Sequence, residues 1–202
     1  MSVAVLFARS DSFYKTINEC DVWDKERDAT KFEGKSPVIA HPPCRAWGQL
    51  RKLANPYPGE KELALFAVDT VRKNGGVLEH PKKSTLWPAA GLPLPGERDK
   101  FGGWTLPIFQ SWWGHKAEKA TLLYIVGCEP SNIPDLPLLL GEAAFICGSP
   151  GRRSDGTRLH KGDLGWRPEI SKAEREHTPP ALAAWLVELA AKCATGGNNI
   201  NQ

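Results

Sequence analysis

Short apolar runs separated by turn residues dominate the chain, and two longer stretches carry a helical period. Val3-Ala4-Val5-Leu6-Phe7-Ala8 has the length of a strand, and Cys20-Asp21-Val22-Trp23-Asp24 is a weaker second one. Pro37-Val38-Ile39-Ala40 runs into His41-Pro42-Pro43-Cys44, where two prolines must end a strand. From Gly59 to Lys73, Leu63, Phe66, Ala67, Thr70 and Val71 recur on one helical face. Glu60 and Glu62 suit the start of that helix, Arg72 and Lys73 its end, and Asn74-Gly75-Gly76 its termination. Gly76-Val77-Leu78-Glu79 predicts a further strand stopped by His80-Pro81. Residues 88–107, rich in Gly and Pro, read as an ordered loop, and 129–142 as a proline-punctuated apolar stretch. Thr121–Val126 is the clearest strand, and Pro180–Ala191 a final helix with Leu182, Trp185, Leu186 and Leu189 on one face.

Strands alternating with helices predict an α/β fold, a largely parallel sheet with helices on both faces. The 202 residues suit a single domain over 1–193, with 194–202 (ATGGNNINQ) a flexible tail. No apolar run reaches the roughly 20 residues of a membrane span. The first residues show no secretory leader, and the five scattered cysteines contain no CxxC, so a reducing cytoplasm is expected. The net charge of +3 is mild, but all of it falls within 150–168. That Gly-rich segment carries Arg152, Arg153, Arg158, Lys161 and Arg167 against Asp155 and Asp163. It reads either as a solvated loop or as an inserted arm that contacts nucleic-acid phosphates, with Trp166 free to stack on a base or to pack.

Ligands of open parallel sheets bind beyond the carboxyl ends of the strands, so residues that follow strands form the candidate site. Here these are Arg9-Ser10-Asp11, Asp24, His41–Cys44, Glu79–Pro81 and the His115, Lys116 and Lys119 group. Two prolines would fix the backbone before Cys44, as a nucleophilic thiol needs, and a neighbouring cation would favour its thiolate. The alternative for a lone cysteine is a small buried hydrophobe. Glu79 ends an apolar strand, where desolvation would let a carboxyl hold a proton near neutral pH; the alternative is a cap or an ion pair. His41, Cys44, His80 and His115 could in principle ligate zinc, but a zinc-deaminase pattern needs a second cysteine after Cys44, and no metal is expected.

Ala40-His41-Pro42-Pro43-Cys44, a helix, and then Val77-Leu78-Glu79-His80-Pro81 together resemble the core of the DNA cytosine carbon-5 methyltransferases. Gly114–Thr121 is similar to that family's basic motif before a strand, and Glu176–Ala191 to its last, proline-containing motif. The four motifs stand in the family's order, closest to its short, often phage-encoded members. The resemblance implies a Rossmann-like S-adenosylmethionine-dependent methyltransferase sheet acting on DNA in the cytoplasm, a host's cytoplasm if the chain is phage-encoded. It implies that Cys44 adds to carbon 6 of a flipped cytosine while Glu79 serves ring nitrogen 3 as acid. Lys116 and Lys119 would then stabilise the anion, and carbon 5 would take the methyl group. Phe7, Arg9, Asp24, Asp28 and Pro42 would border the cofactor, and the 150–168 arginines and lysine the DNA.

Where the family has Phe-x-Gly-x-Gly after its first strand, this chain has Phe7-Ala8-Arg9-Ser10-Asp11, and the family's Glu-Asn is Glu79-His80. About fifty residues separate the last two motifs, too few for a full target-recognition domain. Two other readings follow. One is a thiolate-dependent enzyme that modifies pyrimidine nucleotides or DNA with another donor. The other is a catalytically inactive relative that binds DNA.

Overall fold

The computed structural model describes residues 2–139, 141–148, 151 and 153–193. Within them a six-stranded sheet runs in the order β2-β1-β3-β4-β6-β5. Its strands are β1 (Val3–Leu6), β2 (Cys20–Trp23), β3 (Val38–Ala40), β4 (Gly76–Pro81), β5 (Trp104–Phe109) and β6 (Ala120–Val126). β1 to β4 pair in parallel, whereas β6 is antiparallel to both β4 and β5, so the sheet is mixed. The helices are α1 (Glu60–Asn74), α2 (Leu86–Ala89), α3 (Lys172–Glu176) and α4 (Pro180–Cys193). None is long and apolar enough to cross a membrane.

The period-2 alternation of the strands divides the core in two. Val3, Val5, Ile39, Val77, Leu123 and Ile125 pack with Leu182, Leu186 and Leu189 of α4. The alternate residues Ala4, Leu6, Val38, Ala40, Leu78 and Tyr124 pack with Ala64, Ala67, Val68 and Val71 of α1. Helices therefore do cover both faces. On α1 the buried stripe is rotated from the expected one: Ala64 and Val68 are buried, while Leu63 and Phe66 are only half-buried. Alanines let the helix axis approach the sheet, and the larger side chains flank the contact.

Two expectations are corrected. β4 continues through His80-Pro81, because a proline at a strand's last position need not donate to the ladder. The stretch read as a loop over 88–107 yields to β5 from Trp104, whose Pro107 lies on an edge strand. α3 has too few residues to show a period. The 194–202 tail lies outside the described residues.

Gly76 allows the close β3–β4 pairing beneath the site. It has a φ of 124°, and a Cβ there would stand 2.0 Å from the Val38 carbonyl oxygen. Gly76→Ala is expected to lower stability by about 3 kcal/mol or more, from overlap and backbone strain together. A urea midpoint unchanged from wild type would contradict this packing.

Candidate active site at the carboxyl edge of the sheet

β1 continues to β2 on one side and to β3 on the other, so the topological switch point lies between β1 and β3. Two loops leave it: Phe7–Asp11 after β1 and His41–Cys44 after β3. The His41 amide donates to the Leu6 carbonyl (3.0 Å), which holds the two loops together. Strand register then sets the neighbours. Ala40 pairs with Leu78, so the next residues, His41 and Glu79, fall side by side on the α4 face.

A buried hydrogen-bonded chain results. The Tyr14 hydroxyl meets His41 Nε2 at 3.0 Å, and His41 Nδ1 meets a Glu79 carboxylate oxygen at 3.0 Å. Gln110 Nε2 donates to the other Glu79 oxygen (2.9 Å) and to Thr121 Oγ1 (3.1 Å). Burial pushes the Glu79 carboxyl toward its neutral form, but the His41 hydrogen bond and the charge of Lys119 outweigh it and hold the pKa at about 2. Glu79 is thus an ionised acceptor in the resting protein, not the proton-holding acid that its strand-end position suggested. The reason is partners supplied by other segments. With Glu79 ionised, Nδ1 of His41 carries a proton and donates it to the carboxylate.

Cys44 is exposed, on the loop beyond β3. Although the residue is exposed as a whole, the protein packed around its sulfur desolvates the thiolate and pushes the thiol pKa up first, and the charge of Glu79 adds to this against the opposing pull of Lys119. Cys44 is therefore a protonated thiol at rest, electrostatically coupled to both groups. The loop is clamped to α1 by Glu60, whose buried carboxylate accepts from Arg45 (2.6 Å) and from the Ala46 amide (3.3 Å). Lys119 holds a left-handed φ of 41°, rare outside glycine, and donates to the His177 carbonyl (3.1 Å). Lys116 is largely exposed and ion-paired with Glu174.

The residues expected to border a cofactor are arranged differently from that expectation. Asp24 is buried, with Lys15 at 2.6 Å on one oxygen and the Glu26 and Arg27 amides on the other. These partners, Lys15 first, keep its pKa low and leave neither oxygen facing the switch point. Asp28 caps a short turn through Thr30, and Arg9 pairs with Asp11 and Glu176, each at 2.9 Å. Pro42 is buried. Phe7, with a φ of 60°, makes the left-handed turn that a glycine would otherwise supply, and its ring packs edge-on against Phe66. This donor set does not fit S-adenosylmethionine: the acidic residue meant for the ribose is closed off, and the ion-paired Arg9 and Asp11 stand at the two positions where the resemblance would have glycines.

Of the basic segment, Arg152 lies outside the described residues. Arg153 pairs with Asp163 at 2.5 Å, and Arg167 with Glu118 at 3.1 Å. Only Arg158 and Lys161 of that set are exposed without a side-chain partner among the described residues. No group of three metal-ligating side chains occurs among the described residues.

Tyr14 and Gln110 were not foreseen as site residues, and His41 entered only as a strand-following residue and a conceivable metal ligand. The signal for His41 was its place one residue past a strand end, level with Glu79. Nothing local marks Tyr14 or Gln110.

The fold and site together define an α/β protein with a thiol and a buried carboxylate beside its switch point. Comparison with protein-family models, with curated proteins and with solved structures finds no match for the chain.

Proposed function

We propose that the chain is a thiol-dependent enzyme acting at carbon 5 of cytosine in DNA, with Cys44 as nucleophile. One observation carries this reading: Cys44 and Glu79 stand at the carboxyl ends of adjacent strands, each within the other's electrostatic reach and both within that of Lys119. The order of the cysteine, glutamate and basic motifs supports it.

Cys44 loses its proton to solvent and its sulfur bonds to carbon 6. The carbon 5–carbon 6 π pair moves into the ring, and Lys119 opposes the negative charge that builds up. A bound base excludes water, which strengthens the pull of Lys119 on the sulfur. Glu79, being ionised, accepts from the 4-amino group and orients the ring. His41 and Gln110 hold the carboxylate in place, and Tyr14 holds His41. Carbon 5 is then nucleophilic. With a proton as electrophile, loss of the original carbon 5 hydrogen and departure of the sulfur restore the base. Methyl transfer from S-adenosylmethionine is the reaction implied by the motif order, but the switch-point residues do not support it, and no step is drawn through that cofactor.

The test is tritium release from DNA carrying 5-tritiated cytosine, with and without S-adenosylmethionine, with tritiated deoxycytidine monophosphate in parallel. Release from DNA without any donor, absent in Cys44→Ala, is expected. Release that needs S-adenosylmethionine would restore the methyltransferase reading. Release from the nucleotide alone would move the substrate from DNA to the nucleotide. No release from either substrate by a folded protein would overturn the proposal.

A further inference from the structure

Between two buried anchors, Ile170 and Pro179, runs a segment in which no residue is buried. It contains α3, and Ser171 caps it by accepting from the Glu174 amide. Charge and hydrogen bonding tie it to the carboxyl edge of the sheet at three points. Glu174 pairs with Lys116, Glu176 pairs with Arg9 at 2.9 Å, and the His177 carbonyl accepts from Lys119 at 3.1 Å. Three cations from two separate loops therefore converge on four consecutive residues, two of them glutamates. One of these cations, Lys119, acts on the Cys44 thiol, so the covered surface borders the nucleophile.

Ion pairs as exposed as these are weak and screened by salt. A segment held this way covers the surface without sealing it. A carboxylate and a phosphate present the same acceptor geometry to Arg and Lys, and a phosphate carries a stronger field on its own backbone of charges. We propose that residues 171–178, in which Lys172 and Arg175 balance the charge of Glu174 and Glu176, form a strap that turns its two carboxylates onto a phosphate-binding surface made by Arg9, Lys116 and Lys119, and that a DNA backbone displaces it. The strap would keep small anions from the cations and would yield to a polyanion, which replaces several pairs at once. This rests on the reading above in taking DNA as the substrate.

The test is binding of a short fluorescent duplex by anisotropy across a salt series. Glu174→Gln with Glu176→Gln is expected to tighten binding about fivefold at low salt, as weak competing pairs are removed. Arg9→Gln with Lys116→Gln is expected to weaken binding and to lower the salt slope by about one for each cation removed. In that cation-deficient background the two glutamate substitutions should no longer tighten binding. The exposed carboxylates Glu19 and Glu33, replaced by glutamine, control for net charge and should have a smaller effect. The strap is overturned if the glutamate variant binds no tighter than this control, if tightening persists without Arg9 and Lys116, or if no variant binds the duplex. Tritium release remains a separate readout: it can succeed when the strap fails, and coupled binding without release would keep the surface while removing the chemistry.

Discussion

Glu79→Gln is expected to change two properties of the site in opposite directions. Release of the carbon 5 hydrogen should fall roughly 10²-fold, the scale on which loss of a group that positions the reacting ring acts. Alkylation of Cys44 at a fixed pH near 8 should instead become faster, because the Glu79 charge is one of the influences that raise the thiol pKa. The variant can fold with its polar groups paired. A glutamine oxygen can accept from Gln110, and its amide can donate to Nδ1 with the His41 proton on Nε2 and Tyr14 as its acceptor. A merely structural carboxylate would slow both reactions or neither. Peptide-resolved mass spectrometry of the alkylated protein separates Cys44 from the exposed Cys147. Unchanged alkylation would remove the coupling on which the proposed function rests.

Acidification from pH 7 to 4 should cost the fold roughly 3 kcal/mol through His80 alone. His80 is fully buried on the α1 face, and neither ring nitrogen has a hydrogen-bond partner. Burial pushes its pKa down to about 4, while the Glu79 charge and the nearby Pro43 carbonyl oppose that shift. The unfolded chain, with an ordinary histidine, binds the proton first. The stabilisation is therefore complete above about pH 6.5 and is lost as the pH falls toward 4. Glu79 adds a second limb of the same sign, present above its ordinary value near 4.5 and lost as the pH falls toward about 2. Urea midpoints at pH 7, 5.5 and 4 should decline in wild type and decline much less in His80→Leu, which has similar volume and no proton to take up. Parallel declines in the two proteins would show that His80 is not the group responsible.

The strands at β1, β3, β4 and β6 and the two long helices were legible because each buries a periodic apolar face, and periodicity is local. So was the placing of Cys44 and Glu79 just beyond strand ends, since prolines and a lone charge mark those points. β5 was missed because Pro107 and the surrounding glycines carry the composition of a loop. An edge strand tolerates that composition, and its pairing with β6 comes from residues far away in the sequence. Asp24 looked like a ligand residue because it follows a strand. Whether a carboxylate faces a ligand depends on what else reaches it, here Lys15 and two amides.

The residue pattern alone was enough to establish an α/β sheet with both faces covered and a thiol and a carboxylate near its carboxyl edge. The protonation states and the partners came from the assembled fold. Glu79 is ionised because strand register sets it beside His41 and because Lys119 approaches from the start of β6, and Gln110, just after β5, donates to its second oxygen. Lys116 and Arg9 are ion-paired because α3 folds back to bring Glu174 and Glu176 to them. A pKa and an ion pair depend on distance in space, and in these cases the groups that set them lie between 31 and 167 residues apart in sequence.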